Sequence, residues 1–201
     1  MGKRYRGVVE AIYAPTATPS EWLGAIAVAT HACFASPCGA MAYSFVLGEG
    51  TLAEVQMATA GPLPGAFLEG VWAQLRSWPR AMLEAFYAPS PVALLASELA
   101  RREGFVEAFA PMLAASRAMG IEDVLAIRAI ERGRGCIVAV PFDRPTRVAP
   151  RTRASCARIA EHLAVVWKLR DPHRERAEED LFVVPDEEAP ASEAERRALG
   201  D

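Results

Sequence analysis

The first strong hydrophobic pattern in the chain is helical, and it carries its own start and end signals. In residues 18–35 the apolar positions recur three or four residues apart, as one buried face of a helix requires. Thr18 can cap the first turn, Pro19 suits the first helical position, and Glu21 completes a capping box with Thr18. Pro37 ends the pattern, because the residue before a proline is disfavoured in a helix. This segment is therefore predicted to be a capped amphipathic helix.

Alternating apolar and polar positions predict two β-hairpins. The four strands are predicted at residues 40–47, 51–58, 122–130 and 136–142. Glycine-containing turns at residues 48–50 and 133–135 connect the strands of each pair. The last strand is apolar almost throughout, so we expect it to lie in the centre of a sheet.

Helical patterns fill the remainder of the chain up to residue 170. Further helices are predicted at residues 65–78, 79–87, 91–101, 105–119 and 151–170. The order is then helix, hairpin, helical insert, hairpin, helix. Two hairpins that bury their apolar faces are expected to form one largely antiparallel sheet, which makes the fold class α/β of the α+β kind. We expect the first and last helices on one face of this sheet and the inserted helices on the other.

The domain organisation follows from the same pattern. We predict an N-terminal arm at residues 1–17, one domain at residues 18–170, and an acidic linker or tail at residues 171–201. Of the 201 residues, 52% are hydrophobic and 23% are charged, which is typical of a globular protein. No apolar run reaches the roughly 18 residues that a membrane-spanning helix needs. The N-terminus shows no signal-peptide pattern, and we expect a cytoplasmic protein with no membrane association. Because acidic residues are concentrated in the tail and no basic face is apparent, we expect no direct nucleic-acid binding.

Candidate catalytic groups are sparse, and we predict that the chain is not an enzyme. Nucleophilic catalysis needs a nucleophile, a base and an orienting group in one place, and the three histidines predict no such set. The cysteines lie among apolar neighbours without the spacing of a metal site; they are Cys33, Cys38, Cys136 and Cys156. We expect them to be reduced and to serve in packing, with no metal and no cofactor. The glycine turns lack the surrounding pattern of a phosphate-binding loop.

Two phrases in the second half of the sequence resemble a known family. They are MGIEDVLAIRAIERGRGCIVAVPF, which begins at Met119, and TRVAPRTRASCARIAEHLAVVWKLR, which begins at Thr146. Together with the order of elements, they resemble the GAF-like sensor region, close to PAS domains, that precedes the helix-turn-helix of LuxR-type transcription regulators from myxobacteria. The resemblance spans residues 18–170. It implies a non-catalytic regulatory sensor that binds a small molecule or a protein partner, and the tail after Asp171 holds no recognisable helix-turn-helix.

The resemblance also implies a place for a ligand, between the sheet and the inserted helices. Large aromatic residues of the first hairpin and the insert would line such a pocket: Tyr43, Phe45, Trp72, Trp78, Phe86 and Tyr87. A plainly filled core is the alternative explanation for the same residues, and the domain would then be a ligand-free dimerisation or scaffold module. A less favoured alternative is a redox enzyme, since some GAF domains reduce methionine sulfoxide through paired cysteines, here Cys33 and Cys38.

The terminal helices offer candidates for a second kind of contact. GAF-like domains often dimerise through their first and last helices, and this implies a homodimer. The candidate interface residues are Trp22, Ile26, Leu163 and Trp167. An arginine-rich segment also lies around the start of the last helix, with Arg144, Arg147, Arg151, Arg153 and Arg158. A solvated helix entrance explains it, and an acidic partner or phosphorylated ligand is the alternative.

Overall fold

The fold is known from a computed structural model that describes residues 3–48, 51–90, 92–102 and 105–170. The strands are β1 (Ala40–Gly48), β2 (Thr51–Ala60), β3 (Ala93–Leu95), β4 (Asp123–Glu131) and β5 (Arg134–Phe142). The helices are α1 (Lys3–Ile12), α2 (Pro19–Phe34), α3 (Gly65–Ser77), α4 (Arg80–Phe86), α5 (Ala96–Leu99), α6 (Val106–Ala118) and α7 (Pro150–Arg170). The predicted tail at residues 171–201 lies outside the described residues.

One antiparallel sheet contains both predicted hairpins. Its strand order is β2-β1-β5-β4-β3, so the hairpins β1–β2 and β4–β5 join through their first and last strands. The joining register runs from Met41 opposite Ala139 to Val46 opposite Arg134. The prediction that the two hairpins share one sheet, with the apolar β5 at its centre, is therefore confirmed.

The turn of the second hairpin lies one residue earlier than predicted. The two-residue loop is Arg132–Gly133, and both residues have positive φ, 48° and 76°, as a type I′ hairpin turn requires. Gly135 belongs to β5, where a Cβ atom would come within 2.1 Å of the Ala129 carbonyl oxygen. Gly135 is thus needed for the close approach of two strands and not for the turn. Of the other predicted turn, Glu49 and Gly50 lie outside the described residues.

The capped helix predicted near the N-terminus is confirmed as α2. The Thr18 hydroxyl accepts a hydrogen bond from the Glu21 backbone N–H at 3.2 Å. The Glu21 carboxylate accepts one from the Thr18 backbone N–H at 3.1 Å. This reciprocal pair satisfies two backbone donors that the first turn of a helix would otherwise leave without partners.

The first face of the sheet is covered by α1, α2 and α7. Predicted helices 18–35 and 151–170 both lie here, as expected. α1 was not predicted, since residues 1–17 were assigned as an N-terminal arm with no named element. Val8 and Ile12 of α1 are fully buried, and the Ile12 carbonyl accepts a hydrogen bond from Trp22 Nε1 at 2.9 Å. These contacts with α2 stabilise α1, and the sequence has no local capping signal that would predict this helix.

The second face of the sheet is covered by the inserted helices. α3, α4 and α6 match the predictions at residues 65–78, 79–87 and 105–119 to within one residue at each end. The helix predicted at residues 91–101 is wrong in its first half, because Ala93–Leu95 is a strand and only Ala96–Leu99 is helical. β3 is an edge strand paired with β4, and three residues are too few to show a strand period in the sequence. Among the described residues, no helix is long and apolar enough to cross a membrane.

Candidate ligand-binding cavity

A cavity lies between the second face of the sheet and the inserted helices. Its floor is formed by side chains of four neighbouring strands: Met41 and Tyr43 of β1, Ile137 and Ala139 of β5, Val124, Ala126 and Arg128 of β4, and Leu94 of β3. Its walls come from Phe67, Val71 and Leu75 of α3, Phe86 of α4, Ala96 and Leu99 of α5, and Phe109, Met112 and Leu113 of α6. The lining is mainly apolar, which suits a ligand with a hydrocarbon portion.

The free volume of the cavity is about 80 Å³. A single water needs roughly 10–15 Å³ measured in this way, and a cavity of ~150 Å³ can admit benzene. In the described conformation the cavity therefore accepts a slender group such as part of a hydrocarbon chain. A bulkier ligand requires the inserted helices to move away from the sheet.

The six aromatic residues proposed from the sequence form one continuous cluster at this site. Their ring centroids follow one another at 5.1 Å (Trp72 to Tyr43), 6.3 Å (Tyr43 to Phe45), 4.1 Å (Phe45 to Tyr87), 4.8 Å (Tyr87 to Phe86) and 5.4 Å (Phe86 to Trp78). Tyr43 and Phe86 line the cavity itself. The other four residues do not line the cavity but contact these two rings: Phe45 and Trp72 contact Tyr43, and Trp78 and Tyr87 contact Phe86.

Arg128 is a charged residue of the cavity floor that the sequence analysis did not single out. It is only 3% exposed, and its Nη2 atom donates hydrogen bonds to the Phe86 carbonyl and, at 2.9 Å, to the Ala88 carbonyl. Its guanidinium carbon lies 5.9 Å from the centroid of the Phe86 ring. The sequence did contain a signal, since Arg128 follows Val124 and Ala126 on the same face of β4. A charge on an otherwise apolar strand face is uncommon unless it has a specific partner.

The acidic residues lining the cavity already have partners. The Asp123 carboxylate accepts hydrogen bonds from the Ser97 hydroxyl at 2.6 Å, the Ser97 N–H at 3.1 Å and the Val124 N–H at 2.9 Å. Glu122 is paired with Arg117 at 3.4 Å. These groups hold α5 and the end of α6 to the start of β4, so their first role is structural.

Two polar atoms in the aromatic cluster are buried without a hydrogen-bond partner of normal geometry. They are Tyr87 Oη and Trp78 Nε1. Burial raises the pKa of both Tyr43 and Tyr87. The contact between their hydroxyls lowers the pKa of Tyr43 and raises that of Tyr87, and the positive charge of Arg128 lowers both. The two phenols therefore remain protonated at neutral pH and can donate hydrogen bonds.

The four residues proposed for a dimer interface are buried within the chain. The rings of Trp22 and Trp167 stack with their centroids 6.4 Å apart, and Ile26 and Leu163 are fully buried in the same core. A second copy could reach them only if α2 and α7 moved apart. The homodimer stays a prediction.

The other groups considered for chemistry are dispersed. Cys33, Cys136 and Cys156 are buried in the reduced state, and burial raises the pKa of Cys156 to about 11. Burial also raises the pKa of the half-buried Cys38, which disfavours the thiolate that redox exchange needs. Of the arginine-rich segment, Arg144, Arg147, Arg151 and Arg158 are exposed.

Arg153, from the same arginine-rich segment, makes an ion pair and a hydrogen bond to a backbone carbonyl. Its Nη2 atom lies 2.7 Å from Glu98 Oε1, and its Nη1 atom donates to the Ala93 carbonyl at 2.8 Å. These contacts join the first turn of α7 to β3 and α5. Within the described ranges, no group of three or more His, Cys, Asp or Glu side chains is arranged to hold a metal ion.

Comparison with known proteins shows a likeness in fold. No family model matches the chain. No curated protein matches it in sequence either. Among solved structures, it is similar to the N-acylhomoserine lactone-dependent LuxR family transcription factor CepR2 from Burkholderia cenocepacia, with a TM-score of 0.54 and 16% sequence identity. The match covers 83% of this chain and 94% of that one. The chain thus shares its fold with that solved structure.

Proposed function

We propose that this chain is a non-catalytic regulatory domain that binds a small, partly apolar molecule in the cavity between its sheet and its inserted helices. The observation that carries the proposal is the cavity itself, bounded by Tyr43, Ala126 and Phe86. The CepR2 regulator depends on an N-acylhomoserine lactone, a molecule with a hydrocarbon chain and a polar head. An apolar cavity with a polar floor residue suits molecules of that general build. The GAF-like relationship and a role in transcription regulation belong to the same proposal.

A ligand can regulate only if it binds one arrangement of the protein more tightly than another. The inserted helices supply that possibility, because the free volume of about 80 Å³ must grow for most ligands. α5 contributes Ala96 and Leu99 to the cavity wall, and Glu98 of the same helix is paired with Arg153 of α7. A displacement of α5 would therefore alter the ion pair at Arg153, in the first turn of α7. We propose that the Glu98–Arg153 contact transmits the effect of ligand binding to α7.

A substitution that fills the cavity tests the proposed function. Ala126→Leu places a larger apolar side chain on the cavity floor, whereas Ala73→Leu adds the same side chain on the exposed surface of α3. Thermal unfolding is measured with straight-chain acids, amides and N-acylhomoserine lactones of six to ten carbons in the acyl chain. A ligand at one hundred times its Kd should stabilise the wild type and Ala73→Leu by about 2.7 kcal/mol, and Ala126→Leu not at all.

Two results would count against this function. If no compound raises the Tm of the wild type, the filled scaffold module becomes the better explanation. If Ala126→Leu responds as strongly as Ala73→Leu, binding takes place elsewhere on the chain.

A further inference from the structure

We propose that the ligand of this cavity carries a carboxylate, and that Arg128 binds it. This inference rests on the proposed function and adds the chemical class of the ligand. The cavity then selects an apolar acid, with its hydrocarbon portion along the sheet and its charged end at β4.

The first argument is the charge balance of Arg128. A buried guanidinium normally pairs with a carboxylate, because the loss of hydration is costly for an isolated charge. No carboxylate among the described residues lies within ion-pair distance of Arg128, whose hydrogen bonds go to the Phe86 and Ala88 carbonyls. Carbonyl dipoles offset only part of a full charge. Both bonds come from Nη2, so the Nη1 and Nε donors of the guanidinium are not used by them.

The second argument is that Arg128 has access to the cavity. It lines the floor beside Ile137, its direct neighbour across the strand pair, and Tyr43 of the next strand lines the same floor. A planar guanidinium with two unused donor positions matches the two oxygens of a carboxylate. The protonated Tyr43 hydroxyl is a further donor on the same floor.

The third argument is the pair of buried hydroxyls formed by Tyr87 and Tyr43. The Tyr87 side chain is 2% exposed, and its ring centroid lies 4.1 Å from that of Phe45. Its hydroxyl interacts with the Tyr43 hydroxyl, in a contact whose geometry falls short of a normal hydrogen bond. Tyr87 lies within electrostatic range of both Tyr43 and Arg128. An anion bound at Arg128 supplies an acceptor to this group of donors.

The distribution of charge along β4 sets the orientation of the ligand. Asp123 and Arg128 are five residues apart on this strand, a distance of roughly 16 Å. Asp123 and Glu122 are among the residues that line the cavity at the start of β4, and their negative charges disfavour an acid at that end. The space between the two ends is bounded by apolar groups, Val124 and Ala126 among them. An acid is thus attracted at one end, repelled at the other and accommodated between them.

Three compounds share an eight-carbon chain and differ in the charge of the end group: octanoate, octanamide and octylamine. Their comparison separates the effect of the charge on binding from the effect of the chain. Their Kd values are measured by calorimetry on the full chain at pH 7. We expect octanoate to bind at least ten times more tightly than octanamide, and octylamine to bind most weakly. In Arg128→Met the ratio between octanoate and octanamide should fall to about one, and Arg128→Lys should keep part of it because the charge remains.

The wild-type ratio decides the inference even if Arg128→Met does not fold, since that side chain also holds the end of α4. Equal affinities for octanoate and octanamide would overturn the carboxylate assignment and leave the proposed function in place. Tighter binding of octylamine would overturn it too and would point to Asp123. Absence of binding by all three, together with the wider panel above, would overturn the proposed function itself.

Discussion

The two faces of the sheet are built from the same strands and differ in how completely they are filled. On the first face, α1, α2 and α7 bury small and medium side chains of alternate strand positions, including Ala42, Ala129 and Val138, with Trp22 stacked on Trp167. On the second face, the other alternate positions carry Tyr43 and Phe45 and leave a cavity of about 80 Å³. The same sheet thus has a filled core on one side and free space on the other.

The helices of the two faces also differ in their local stabilisation. α2 has a complete capping box at Thr18 and Glu21. α3 and α4 begin after Pro64 and Pro79, and neither has a side-chain cap. Helices without local capping depend more strongly on the packing of their apolar face. α3 and α4 therefore depend on their contacts with the sheet, and a ligand that displaces them has to replace those contacts.

The largest expected difference comes from the same substitution on opposite faces of β4. Ala129→Leu adds three carbon atoms to the filled core and should destabilise the protein by about 1–3 kcal/mol. Ala126→Leu adds them to the cavity floor, where space exists, and should change the stability by less than about 1 kcal/mol in either direction. Urea unfolding of both variants measures the difference. Similar losses in both variants would mean that the second face is filled as tightly as the first.

A smaller effect is expected at the cap of α2. Thr18→Ala removes the hydroxyl that accepts the Glu21 N–H, and such a change costs about 1 kcal/mol. Ser20→Ala is the control, since Ser20 is an exposed residue inside the same helix. The free energy of unfolding is again the measurement. Because alanine is the better helix former, no loss is expected at Ser20, and a loss there equal to that at Thr18 would show that the capping hydroxyl has no special role.

The smallest effect concerns the ion pair that connects the two faces. Burial raises the pKa of Glu98, but its bonds to Arg153 and to the Leu95 N–H lower it by more, so that the net shift is below the ordinary value of 4.5. A lowered carboxylate pKa contributes stability above the unfolded-state value, and this stability is lost as the pH falls through the folded-state value. Both side chains are about one third exposed, so we expect less than about 1 kcal/mol.

This pH dependence is checked by measuring the free energy of unfolding of the wild type and Glu98→Gln from pH 6 to pH 3. The wild type should be the more stable at pH 6, and the two should converge as the pH falls below about 4.5. A constant difference over the whole range would show that the ionised form of Glu98 adds nothing.

The sequence predicted the elements whose signals are local. α2 was recognisable because Thr18, Pro19 and Glu21 mark its start, and the hairpins because an alternating pattern of eight residues leaves little choice of structure. Their joining into one sheet followed from the need to bury two apolar faces. The aromatic cluster around Tyr43 was also predicted as a group, since large rings on neighbouring strands and the insert must pack together.

Other features depend on partners that are distant along the chain. α1 forms because Val8 and Ile12 pack in the core on the first face of the sheet, where Ile12 accepts a hydrogen bond from Trp22. β3 is a strand because Leu94 pairs with Ala126 at the edge of β4. Arg128 was visible as a charge, but its role depends on carbonyls some forty residues earlier in the chain. By itself the sequence determined where the strong periodic elements lie. The tertiary structure decided which weak segments adopt regular structure and where space remains, because burial, edge pairing and free volume are properties of the assembled fold.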